Sequence, residues 1–167
     1  MRKKEEKFKF SILHKDESIL ELVRETDHKT LAVWTVDCVE RVMSYFEEKY
    51  PEDQRPRKAI EELRKWIRTG IFKMADIRKA SLDSHAAARE VGEDNAARSA
   101  ARAAGQAVAT AHVPTHSVGA ANYALQAIYR ASKSSNAVAA VAKERDWQYQ
   151  RLVELRNSHE KFKFKNV

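Results

Sequence analysis

The sequence predicts an all-α protein, a compact single-domain bundle of five or six helices, and three observations carry this. Only four glycines and three prolines interrupt 167 residues, alanine dominates the second half, and 33% of the residues are charged, the composition of a helical chain. Apolar residues recur at helical spacing over most of the length. The length is enough to bury a core without cross-links, and one cysteine, Cys38, excludes an internal disulfide. Such cysteine usage fits a reducing compartment, so a soluble, cytoplasmic protein is expected. No run of about 18 apolar residues suggests a membrane span or a secretory signal.

Taken in order, residues 1–27 read as an N-terminal extension. A first helix is expected from about Thr30 to Lys49, where Leu31, Trp34, Cys38, Val42, Tyr45 and Phe46 form one stripe and Pro51 ends it. The next segment, QRPRKAIEELRKWIRTG, places Pro56 in a first turn and Gly70 just past the end. Helix resumes from Phe72 to Glu90, with Val91 and Gly92 as the stop. From Glu93 to about His112 a helix with two faces is expected. Ala97, Ala101 and Gly105 make a smooth stripe that lets another helix approach, and Asp94, Arg98, Arg102, Gln106 and Thr110 make a polar one. A further smooth helix follows Pro114, and a last one runs from Ala137 to about Arg156. The word EKFKF occurs at 6–10 and again at 160–164 with phenylalanines at alternate positions, which is strand periodicity. Frayed tails are one reading; the other is a small ribbon that closes the chain's ends or joins two subunits as a homodimer.

Candidate chemistry is sparse. No glycine-rich phosphate loop, serine elbow or CxxC pair is present, so no cofactor is implied and no catalytic residue stands out. His112 and His116 are four apart, the spacing of metal ligands on a helix, but the HExxH glutamate is missing and Pro114 lies between them. Proline cannot donate to the carbonyl of Thr110 and pushes Val113 out of helical geometry. Two readings of AHVPTH follow. Either the histidines fill a joint between two helices, their pKa values separated by opposite helix dipoles, or they serve a ligand or metal site with His85 or Asp83. Asp37 and Arg41 are one turn apart beside Trp34, either as a simple ion pair or, if buried, as a network drawing on Arg98 and Arg102. Cys38, amid apolar residues, reads as core. The candidate polar cluster, functional or structural, is therefore Trp34, Asp37, Arg41, Arg98, Arg102, Gln106, His112 and His116.

Three segments, LAVWTVDCVERVMSYFE, RPRKAIEELRKWIRTG and AARAAGQAVATAHVPTHSVGAANYA, together resemble a bacterial family of immunity proteins, the cytosolic antidotes of polymorphic toxin systems. The resemblance runs from about His28 to Arg130. Its matching positions are Trp34, Asp37, Cys38, Arg41, Arg55, Pro56, Trp66, Gly105, Gln106, His112, Pro114, His116 and Gly119. It implies an all-helical, non-enzymatic protein that binds a cognate toxin as its protein partner. The net charge of +7 sets a condition on that partner, because inhibitors of basic nucleases are expected to be acidic: the toxin is acidic, or a local patch dominates binding. Two alternatives stay open: a small metal-dependent or hydrolytic enzyme using His112, His116 and Asp37, and a basic nucleic-acid binder, which the 24 interspersed acidic residues disfavour.

Overall fold

A computed structural model describes residues 16–133 and 135–164, with the backbone alone for 160–164. These residues form eight α-helices and no strand, more helices than the sequence suggests: α1 (Glu17–Arg24), α2 (His28–Glu40), α3 (Ser44–Glu47), α4 (Arg55–Thr69), α5 (Met74–Glu90), α6 (Ala96–Ala109), α7 (His116–Ala131) and α8 (Ala137–Phe164).

Two of the extra helices have identifiable causes. α1 lies in what reads as an extension; the Asp16 side chain accepts from the amides of Ser18 and Ile19, and Ile19, Leu22 and Val23 bury against Leu31, Trp34 and Leu152. The single helix expected to Lys49 breaks at 41–43 because the chain tightens there, with the amide of Val42 donating to the carbonyl of Val39, and this turn buries Val42, Met43 and Phe46 together. α4 ends where expected, Gly70 taking the left-handed φ of 67° that terminates a helix cheaply only with glycine. That ending leaves residues 71–73 as a connection, so α5 begins at Met74 rather than Phe72.

The second EKFKF is the end of α8, not a strand. Lysine and glutamate are good helix formers and the helix preceding it simply continues, which overrides the alternation of the phenylalanines. The first copy lies outside the described residues, and a ribbon of the two copies is not what the chain forms.

α6 is the centre. Ala100, Ala101, Ala103, Ala104 and Ala107 are fully buried, and with no long side chains between them the backbones of α5 and α7 pack directly on either side. Ser81 and Ser84 of α5 donate to the carbonyls of Gly105 and Ala101, at 2.9 and 2.7 Å, which fixes the register of that pair. α2, α3 and α4 also pack on α6, and α8 packs on α2 and α7.

Candidate functional site

The break at Pro114 is complete. After Ala109 the chain tightens, the amide of His112 donating to Ala109, and a second turn closes from the amide of His116 to Val113 before α7 begins. The ring of His28, at the start of α2, donates from Nε2 to the carbonyl of Thr110, satisfying a helix-end acceptor, and packs on Trp66 with centroids 4.8 Å apart. His112 is exposed and stacks on Phe72, centroids 5.9 Å apart and planes inclined by 23°. His116, the first residue of α7, donates from Nδ1 to Gln106 Oε1 at 2.8 Å. Gly119 makes room for that contact, since a Cβ there would lie 3.0 Å from the same oxygen.

The joint opens onto a cavity of about 380 Å³ between α5 and the α6–α7 turn. Its walls hold Met74, Leu82, His85, Gln106, His112 and His116. His85 sits flat against the backbone of α6: a Cβ on Gly105 would be 2.8–2.9 Å from three of its ring atoms. Its Nδ1 is buried without a hydrogen-bond partner among the described residues. Burial first, then the charges of Arg102, Arg89 and His116, holds its pKa below the usual histidine range. Burial, then the charge of His112, does the same to His116. The cause is desolvation of a packed joint more than the helix dipole expected from the sequence. Both rings are therefore neutral donors and acceptors near neutral pH.

The mouth of this cavity carries exposed apolar side chains beside the exposed Arg78. Phe72, Met74 and Leu82 expose 42%, 43% and 54% of their surface, and Ile71 beside them 61%. A larger hollow of about 690 Å³ between α4 and α5 is lined by charges of both signs that pair among themselves, Lys65 with Glu62 and Lys79 with Asp83. It is a solvated surface of mixed charge.

The eight expected residues fall into two places. Gln106, His112 and His116 meet at the cavity, and Arg98 and Arg102 lie on the same stripe of α6. Trp34, Asp37 and Arg41 belong to the contact of α2 with α8. Trp34 is fully buried and donates to the carbonyl of Gln148 at 2.8 Å. Asp37 pairs with Arg151 at 2.8 Å, and Arg41 with buried Glu144 at 2.6 Å while lying 4.0 Å over the Trp147 ring. Neither an Asp37–Arg41 pair nor a network to Arg98 and Arg102 forms; α8 supplies the partners instead. Arg98 bonds Asp94 and the carbonyl of Ala88. Cys38 is wholly buried, and burial pushes its thiol pKa up, with Glu144 and Asp37 adding to the effect.

The three residues named for the enzyme alternative are not brought together: His112 and His116 line the cavity and Asp37 pairs with Arg151. Asp37 stands about 13 Å along α2 from the end that touches the joint, at 1.5 Å per residue from His28. Among the described residues no three histidine, cysteine or acidic side chains converge as a metal would require. No helix is long and apolar enough to cross a membrane among them. Sequence reasoning named His85 only as a candidate metal ligand beside His112 and His116, which the structure does bring to one cavity, and it missed the rim of Phe72, Met74 and Leu82. The available signal was the apolar pair Ile71–Phe72 immediately after a helix-ending glycine.

No curated protein and no solved structure matches the chain. A family model described as "Imm-5 like putative immunity protein" matches residues 21–155, beyond the His28–Arg130 span of the resemblance at both ends and including the α8 residues that pair with α2. With all seven helices α2 to α8 wholly or mostly inside that match, the chain belongs to the Imm-5-like immunity protein family.

Proposed function

We propose that this protein is a non-catalytic antidote that binds a cognate bacterial toxin in the cytosol and neutralises it by covering part of its surface. The apolar rim around the three-histidine cavity is the observation that carries the reading beyond the family. Scattered exposed apolar residues are ordinary. Four of them gathered on the α4–α5 connection and the next turns of α5, beside a hollow large enough for one bulky side chain, have the make-up of a protein-binding patch. Phe72 stacked on His112 and Leu82 near His85 would form the anchor points, with Gln106 and the neutral imidazoles available to a partner's polar groups.

Co-expression with the toxin encoded beside its gene tests this. Growth of cells making both proteins, against arrest of cells making the toxin alone, is expected; arrest in both cultures contradicts it.

A further inference from the structure

The polar stripe of α6 carries a second feature that the cavity does not use. Arg98 and Arg102 stand one turn apart on α6, and Arg130 comes from the last turn of α7. Arg98 and Arg130 converge on one carboxylate: Asp94 Oδ1 is 2.7 Å from the first and 3.6 Å from the second. The arginine side chains are 21% exposed and Asp94 is 73% exposed, so two confined cations share one loosely held anion. Arg130 is further fixed by donating to Ser99 Oγ at 3.0 Å, and that hydroxyl bonds Gln126 Oε1. Arg102 forms no ion pair among the described residues, and its charge bears on Asp94, Arg130 and His85 alike.

The close approach of α6 and α7 over alanine is what brings these cations together. Packing like charges so tightly is unfavourable unless an anion joins them. The cluster already holds a carboxylate from its own chain, on a side chain that an incoming one displaces. Gln106 of the cavity lies one turn beyond Arg102, about 6 Å along the axis, so the cations and the apolar hollow form one continuous strip.

We propose that Arg98, Arg102 and Arg130 form an anion site that receives acidic side chains of a protein partner docked over the adjacent cavity. This rests on the antidote reading for the partner's role, while the carboxylate preference stands on the cluster itself. A nucleic-acid backbone is the competing occupant, because Arg78 lines the cavity between Met74 and Leu82, and the oligothymidylate arm of the test decides between them.

The test is fluorescence anisotropy of the full chain with a labelled polyglutamate peptide, in parallel with a labelled oligothymidylate. The peptide should bind, Arg102→Ala should weaken it roughly tenfold, and Asp94→Asn should tighten it. Lys79→Ala, in the α4–α5 hollow, should leave it unchanged. No peptide binding, indifference to both Arg102→Ala and Asp94→Asn, or tighter binding of the oligothymidylate would overturn the proposal. So would full growth protection by an Arg102→Glu variant that no longer binds peptide. Peptide binding with the expected variant pattern, in a protein that gives no protection at all, would support the anion site and remove only the toxin reading.

Discussion

At the scale of single residues, Gly105 explains the most. It is glycine because the ring of His85 occupies the space a Cβ would take. That contact holds α5 and α6 in register and strips water from an imidazole whose Nδ1 has no partner to compensate. The consequence is a pH dependence with a definite sign. His85 has a folded-state pKa below the ordinary value of 6.5, so the unfolded chain takes up a proton that the folded chain resists. Above that value both states are neutral and proton linkage contributes nothing, and stability is lost as pH falls below it toward the folded pKa. Chemical denaturation at a series of pH values, from about pH 7 to about pH 5, should show a steeper loss for the wild type than for His85→Asn. Parallel profiles would show that the ring is not desolvated as described. The joint itself was legible in HVPTH, because Pro114 forbids an unbroken helix. The packing of His85 against Gly105 was not, since it depends on how α5 and α6 are set against each other, a register that no local pattern encodes.

Among the elements, α8 shows where periodicity misleads. Its buried positions Ala137, Val141, Glu144, Gln148 and Leu152 make a regular stripe on one face, but two of the five are polar. A hydrophobicity pattern cannot see a stripe built partly from polar groups whose partners lie far away in sequence. Gln148 donates to the carbonyl of Ala121, and Glu144 pairs with Arg41, about a hundred residues earlier. α2, α4 and the smooth pair α6 and α7 were legible because apolar spacing, caps and small residues are local signals. The partners of Asp37 and Arg41 were not. Arg41→Ala should cost about 2–3 kcal/mol, less than the 3–5 typical of a fully buried pair because Arg41 is partly open to solvent, and it leaves Glu144 as an unpaired buried carboxylate. Adding Glu144→Gln should recover part of that loss in a double-mutant cycle read by thermal or denaturant unfolding. An Arg41→Ala variant as stable as the wild type would mean that Glu144 finds water or another cation.

For the whole molecule, most of the net charge of +7 lies at the two ends of the sequence, in MRKKEEKFKFSILHK and EKFKFKNV, and the residues between them are close to neutral. Within that nearly neutral body the face shared by α6 and α7 gathers Arg98 and Arg130 on Asp94, with Arg102 one turn along α6. A basic immunity protein is then suited to a partner whose binding surface carries an apolar anchor and acidic neighbours, through complementary local fields rather than overall charge. The same arrangement explains why the sequence pointed at the stripe of α6 without revealing its use: the residues were visible, and the walls supplied by α5 and α7 were not. The central claim is that the rim of the cavity is the toxin-binding surface. Calorimetric titration of the cognate toxin with the wild type and with the Phe72→Asp/Leu82→Asp variant, both confirmed folded by circular dichroism, tests it most directly. Both substituted side chains are exposed, so the fold should persist while affinity falls by about a hundredfold or more. An affinity within about twofold of the wild type would place the binding surface elsewhere on the molecule.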